Sequence, residues 1–198
     1  MQPASSVLFP DLCSRRAKVL RAALRLFTQR GFFNTSLQMI VSESGASVGF
    51  IYHHFRDKEG IARALYHHLL ERMNALLDDI EAAHRTAEER CRAVIKLLFE
   101  LTEAEGDSMG FIAHARHREF LPNEKAICSA SAFVRMRGFV FEGIEKGEIR
   151  PMDPMVAAVI AYGGAIRMIG LRLDGVIEQP LSGYLEELWA HTWQALHP

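Results

Sequence analysis

Cysteine is scarce in this chain and badly spaced for cross-linking. Cys13, Cys91 and Cys128 are odd in number and form no Cys-x-x-Cys pair, so a disulfide framework is excluded and reduced thiols fit better. Cys91 and Cys128 read as small buried apolar residues rather than redox switches. Proline is also sparse, with 7 in 198 residues, which leaves room for long helices. No alternating apolar pattern of useful length, no internal repeat and no low-complexity tract occurs. No uninterrupted apolar run reaches the roughly 18–20 residues that span a bilayer. The stretch from Met155 to Leu173 comes nearest, and Arg167 and Arg172 interrupt it. The segment from Met1 to Pro10 lacks a basic start followed by a full apolar stretch, so it reads as a disordered arm rather than a secretory signal. Together these absences favour a cytoplasmic location and give no reason to place the chain at a membrane. Nucleophile–base spacing, a phosphate-cradling glycine loop and a metal cluster are missing as well, so no enzyme, cofactor or metal is expected. His67-His68, and the i, i+3 pair His114 and His117 near Glu119, supply too few ligands for a metal site.

What is present is helical periodicity and an uneven distribution of charge. The net charge is −1, but residues 1–60 carry eight Lys/Arg against four acids, a net +4, and the remainder carries −5. A basic head on an acidic body suits a polyanion-binding module joined to something else. Val19, Ala22, Ala23, Leu26 and Phe27 share one helical face, and Gly31 is placed to end that helix. Thr35 or Ser36 can cap a second helix that turns Ile40 and Val41 inward. Gly45 ends it, Ser47 can cap a third with Ile51 and Phe55 inward, and Asp57 can cap a fourth. Ile61, Leu65, Leu69, Met73, Leu76 and Ile80 then stripe a helix over 58–83, roughly 40 Å long at about 1.5 Å per residue. Further helices are expected over 87–105, 109–120, 123–146, from Asp153 with Pro154 at its first position to Leu173, and over 181–196. The fold class is therefore all-α, with about nine helices.

The block from Thr35 to Glu59 carries the function. It reads as two short helices joined at Gly45-Ala46-Ser47, the glycine permitting a left-handed backbone in a tight inter-helix turn. The second of these helices is about two turns long and presents aromatic and imidazole groups away from the core, beside a basic first helix; such an element can read a DNA major groove. Phe32-x-x-Thr35-Ser36, Ile40-x-x-x-x-Gly45-x-Ser47, Gly49 and the run from Ile51 through His54-Phe55 to Lys58-Glu59 resemble the TetR family of transcriptional regulators over about residues 14–62. The resemblance implies a three-helix helix-turn-helix domain over 12–60, after an arm over 1–11, and a larger ligand-binding and dimerisation bundle over 61–198. Thr35 and Ser36 would start the second helix, where a hydroxyl and backbone N–H groups hold a phosphate, and Gln38 would reach phosphate or a base edge. Ser47, Val48, Gly49 and Phe50 would open the recognition helix, while Tyr52, His53 and His54 would contact DNA beyond them. Lys58 would add a charge at the start of the fourth helix. Val48 stands where many members carry a basic or polar residue and so gives up a hydrogen bond. Phe50 could pack on a thymine methyl or fold back into the domain.

In the body, Phe99, Phe111, His114, Arg118, Phe133, Met136, Tyr162 and Arg167 are candidate lining for an effector pocket, because a polar group embedded in apolar helices needs a partner. Gly163, Gly170, Trp189 and Trp193 are candidates for a dimer interface, and Arg167 for either. The resemblance implies a homodimer whose last two helices pair with those of its mate, spacing two recognition helices about 34–36 Å apart on a palindromic operator. The expected function is a ligand-responsive repressor released by an unidentified small molecule. The alternatives are a DNA-binding factor without an effector, and a helical small-molecule binder or enzyme with a vestigial head.

Overall fold

A computed structural model of the chain describes residues 6–11, 13–114 and 117–198, with the side chains of His114 and Cys128 outside the described set. The described residues form ten α-helices and two short 3-10 turns, and no strand. The all-α class is as expected, with one helix more than the nine anticipated, because the expected 109–120 element is two helices, Gly106–His114 and His117–Phe120. The chain divides into two compact units: residues 1–72 with 107–127, and residues 73–106 with 128–198.

The first unit contains α1 (Arg15–Arg30), α2 (Leu37–Ser44), α3 (Val48–Phe55), the first part of α4 (Lys58–Ala83), α6 (Gly106–His114) and α7 (His117–Phe120). Helices α1, α2 and α3 each start on a hydroxyl cap. Ser14 Oγ accepts from Ala17 N at 3.1 Å, Ser36 Oγ from Met39 N at 3.2 Å and Ser47 Oγ from Phe50 N at 3.2 Å, each satisfying one N–H that the helix leaves unpaired. Val19, Ala22, Ala23, Leu26, Phe27, Ile40, Ile51, Phe55, Ile61, Leu65 and Leu69 are buried, the faces their spacing predicts; Val41 is only half-buried. Gly45 adopts φ 66°, ψ 12°, the left-handed conformation the turn between α2 and α3 requires.

The first unit differs from the expected 12–60 domain in two ways. Its compact body also takes in residues 61–72 and 107–127. It includes part of the arm as well: Leu8 and Phe9 are buried. The Leu8 carbonyl lies 2.8 Å from His68 Nε2, Arg72 Nη2 donates to Val7 O at 3.0 Å, and the Phe9 ring sits 4.6 Å from that of His68. Residues 6–9 are therefore held on α4 rather than disordered, because two large apolar side chains find a surface there. Residues 1–5 of the expected arm lie outside the described residues.

The second unit contains the rest of α4, α5 (Ala87–Ala104), α8 (Ser131–Glu145), α9 (Pro154–Leu173) and α10 (Leu185–Leu196). Thr86 and Glu89 close a capping box at the start of α5, and Asp153 caps α9 through Met155 N at 2.9 Å and Val156 N at 3.1 Å, with Pro154 at the first position. On α4 the apolar stripe runs through Met73 and Leu77, leaving Leu76 and Ile80 half-buried. Arg172 grips Glu103 with two parallel bonds, of 2.9 and 2.8 Å, a bidentate pairing. Arg135 meets Asp78 and Glu81, each at 2.7 Å. The expected helix over 123–146 begins only at Ser131. Residues 121–127 are held instead by the first unit's own contacts: the Lys125 carbonyl accepts from Tyr66 Oη at 2.8 Å, and Glu124 pairs with Arg63 at 3.3 Å and His67 at 3.2 Å. These tertiary contacts override helical propensity.

By length and composition α9 is apolar enough to cross a membrane, and a third of its most apolar window is buried. Its buried side carries Ala157, Ala158, Ala161, Tyr162, Ala165 and Ile169. Its exposed side carries Met155, Val156, Val159 and Ile166.

Candidate nucleic-acid interface

The surface of interest is built on α2 and α3. Ile51 and Phe55, four residues apart on α3, are 0% and 4% exposed, which fixes the helix's inward face and turns the others out. Ser47, Val48, Gly49, Tyr52, His53 and His54 are exposed and Phe50 is half-buried. Phe50 lies with its ring 4.1 Å from that of His54, and His53 meets His54 edge-on at 4.8 Å, so the three rings form one aromatic ridge. Nothing lies within 4 Å of where a Gly49 side chain would stand, so the backbone there is open to close approach. Ser36 and Gln38 are exposed at the start of α2.

Two predicted residues are placed differently. Thr35 is 1% exposed, and its hydroxyl donates to Gly31 O at 2.9 Å and lies 3.3 Å from Leu26 O. It ties off the end of α1 and cannot offer that hydroxyl outward. Lys58 Nζ donates to Phe32 O at 2.9 Å and Thr35 O at 2.8 Å and lies 4.2 Å over the Phe32 ring. Its charge is directed into the α1–α2 connection, not to the surface. The spacing that suggested phosphate contact is correct for both; the direction of the side chains is not.

Sequence reasoning left two residues out of the site. An open cleft beside α3 is lined by Arg15 and Lys18 of α1 together with Ser44, Gly45, Ala46 and Ser47. It joins two cations to the N-terminus of α3, where unpaired N–H groups favour an anion. The usable signal was the Ser14 cap followed by Arg15-Arg16-x-Lys18, which puts Arg15 and Lys18 on one side of the first turn. Arg25 is already paired with Glu43 of α2, and Arg16 lies over the Phe55 ring at 5.2 Å.

The residues predicted for a pocket are divided between the two units. Phe111 and Arg118 belong to the first unit, and Phe99, Phe133, Met136, Tyr162 and Arg167 to the second. Arg118 and Arg167 are exposed, so the argument from a buried charge does not apply to them. Phe99, Met136 and Tyr162 are core; the Tyr162 hydroxyl donates to Met136 O at 3.0 Å and lies 3.2 Å from Cys91 Sγ. Burial pushes the Cys91 thiol up to about 11, which suits an inert packing residue. Of the residues predicted for a dimer interface, Trp189 is 5% exposed and packs in its own unit's core. Trp193 is half-buried and stacks on it at 5.6 Å. Gly163 and Gly170 are partly exposed on α9. Among the described residues no three His, Cys, Asp or Glu side chains cluster as metal ligands do.

A three-helix head whose last short helix stands outward beside a basic cleft defines the helix-turn-helix class. Residues 19–65 match the model of the bacterial regulatory proteins of the tetR family, the family that the Thr35–Glu59 motif resembles. The BetI transcriptional regulator of Pseudomonas aeruginosa is 33% identical over 103 residues, 48% of this chain and 49% of that protein. The LmrA regulator of Bacillus subtilis is 36% identical over 103 residues, 50% of this chain and 55% of that protein. The match thus spans about half the length of these relatives. Among solved structures, FadR of Bacillus subtilis in complex with stearoyl-CoA shares the fold with a TM-score of 0.75 at 20% identity, over 91% of this chain and 98% of that one. The ketosteroid regulator KstR2 of Mycobacterium tuberculosis shares it with a TM-score of 0.74 at 21% identity, over 95% and 97%.

Proposed function

We propose that this protein is a cytoplasmic transcriptional repressor that binds a palindromic operator as a homodimer and is released by a small, mostly apolar effector. The observation that carries the reading is the outward face of α3. An aromatic and imidazole ridge over Phe50, His53 and His54, with Tyr52 exposed on the same helix, rises from a serine-capped N-terminus, flanked by Arg15 and Lys18. Cations and helix N–H groups hold phosphates and set register; the ridge meets base edges and the T methyl. Gln38, Ser36, Ser47, Val48 and Gly49 extend the same surface. The protein acts by binding, not turnover.

Dimerisation is supported by the exposed side of α9, where Met155, Val159, Gly163, Ile166 and Gly170 recur at helical spacing with Arg167 beside them. An apolar stripe of this kind on a 20-residue helix suits a two-fold contact with its own copy. Effector release is supported by the company the fold keeps: one neighbour was solved with stearoyl-CoA and another is named for ketosteroids. Release requires that the effector bind the DNA-free state more tightly than the DNA-bound state.

The test is direct. Purified protein should be dimeric by sedimentation and should select a palindromic sequence from random duplexes, with affinity falling steeply as salt rises. A monomer at micromolar concentration, or no selected sequence at low salt, would sink the reading. Tyr52 is 56% exposed, so Tyr52→Ala should leave the melting temperature unchanged while weakening operator binding by roughly tenfold, about one lost contact. Fluorescence anisotropy with the selected duplex reads the second effect and differential scanning calorimetry the first.

A further inference from the structure

His117 is a charged-type side chain placed where charge is not tolerated. It is 4% exposed. Its ring is surrounded by aromatic ones: Phe111 of α6 at 4.8 Å, Tyr66 of α4 at 5.3 Å and Phe120 at 5.8 Å, the first two edge-on. Burial pushes the imidazole down to about 4, so it is neutral at physiological pH and able either to donate or to accept at Nε2. That Nε2 is buried and has no hydrogen-bond partner among the described residues. Nearly all buried polar atoms are paired, and one left unpaired destabilises the fold that holds it. Tyr66 meets the imidazole through its ring, while its hydroxyl donates to the Lys125 carbonyl at 2.8 Å.

The same ring is joined to the DNA-facing domain by continuous packing. Phe120 stacks on Phe32 at 4.3 Å with 12° between planes, and Phe32 holds Lys58 Nζ 4.2 Å from its ring centre and meets Phe27 at 5.2 Å. Phe27 in turn faces Phe111 at 6.4 Å. Thr28 Oγ1 of α1 donates to the Asp107 carbonyl at the start of α6. Anything that enters beside His117 must therefore displace rings that pack directly on α1 and on the α1–α2 connection.

We propose that His117 is the polar anchor of an effector site inside the first unit, and that its ligand is an uncharged, mainly apolar molecule with one hydrogen-bonding oxygen, a hydroxyl or a carbonyl. The proposal deepens the ligand-responsive reading above by giving the effector's chemistry. Aromatic walls select an apolar body. The neutral imidazole selects a single polar group and disfavours a carboxylate or ammonium, whose desolvation nothing there offsets. The hydroxyl would donate to one tautomer of the ring and the carbonyl would accept from the other.

The experiment uses the full chain without DNA, so that its failure is separable from failure of operator binding. Protein with 15N-labelled histidine rings is titrated with three probes of similar size: benzyl alcohol, acetophenone and ethylbenzene. Benzyl alcohol or acetophenone should shift the His117 Nε2 resonance and bind at least tenfold more tightly than ethylbenzene. His117→Phe should erase that preference and raise the melting temperature, because an unpaired polar atom is replaced by a ring of similar shape. An Nε2 resonance that none of the probes moves would overturn the proposal, as would equal binding of ethylbenzene. Both of those readings are made on the unsubstituted protein and do not depend on the variant folding.

Discussion

Gly60→Ala is expected to destabilise the head by about 3 kcal/mol, against the usual sign for this substitution in a helix, where alanine is better than glycine by about 1 kcal/mol. The cause lies in the two-residue link between α3 and α4. Arg56 has φ 69° and ψ −55°, and Asp57 N donates to Phe55 O at 2.9 Å. An i to i+2 bond about a central residue with these angles is a γ-turn of the strained hand. It tips the Phe55 carbonyl toward α4. A Cβ at Gly60 would overlap that carbonyl oxygen and fall 2.9 Å from its carbon and 3.2 Å from Asp57 Oδ1. The same Oδ1 accepts from Gly60 N at 2.6 Å, so the cap cannot retreat without losing its bond. Backbone must move, and with it the angle at which α3 is held. The measurement is thermal unfolding, where about 3 kcal/mol corresponds to a drop on the order of 6–12 °C for a chain of this size. Gly49→Ala is the internal control: it sits in α3 with open space around it and should be neutral or slightly stabilising. Equal melting temperatures for Gly60→Ala and the parent would show that the link is not strained.

Much of this was readable beforehand, and for a physical reason. Periodicity reports which face is apolar, and in α1, α3 and the first half of α4 the apolar face is the buried one. Glycine, serine and aspartate report helix ends through backbone and capping requirements that act locally, as at Gly45, Ser47 and Asp153. What was not readable is direction. A threonine two residues before a helix has the same sequence signature whether its hydroxyl turns out to a phosphate or back onto the preceding helix, and Thr35 does the second. Trp189 and Trp193 share a helix face as an interface would, yet Trp189 is claimed by its own unit's core. Leu8 and Phe9 lie in a segment with no periodicity, so only the complementary surface of α4 could disclose that they pack. The start of α8 was masked in the same way: 123–130 has the composition of a helix, and the contacts of Glu124 and Lys125 with Arg63, His67 and Tyr66 hold it otherwise. For His117 the sequence offered an i, i+3 pairing with His114, whereas the informative fact, an enclosed Nε2 without a partner, exists only in three dimensions.

Lys58 turns this question of direction into a measurement. A lysine at the first position of α4 in this motif suggests a phosphate contact, and such a contact has a signature: removing it lowers the slope of log affinity against log salt by about 0.9 and leaves stability alone. The structure assigns the opposite behaviour. Nζ satisfies two main-chain carbonyls, at 2.9 and 2.8 Å, and lies over an aromatic ring that is itself 7% exposed. Methionine keeps the length of the stem but removes the charge and all three donors. Lys58→Met should therefore lower stability by roughly 2–3 kcal/mol, the range for losing charge-assisted bonds to partly buried acceptors together with a cation–π contact. Urea unfolding should show the loss as a shift in midpoint with the slope unchanged. At a temperature where both proteins remain folded, the salt slope of operator binding should be the same for variant and parent. A variant as stable as the parent but with a shallower salt slope would place the ammonium on DNA and reverse the assignment. The physical distinction is that a carbonyl partner belongs to the folded chain and is lost on unfolding, whereas a phosphate partner belongs to the complex and is lost on dissociation.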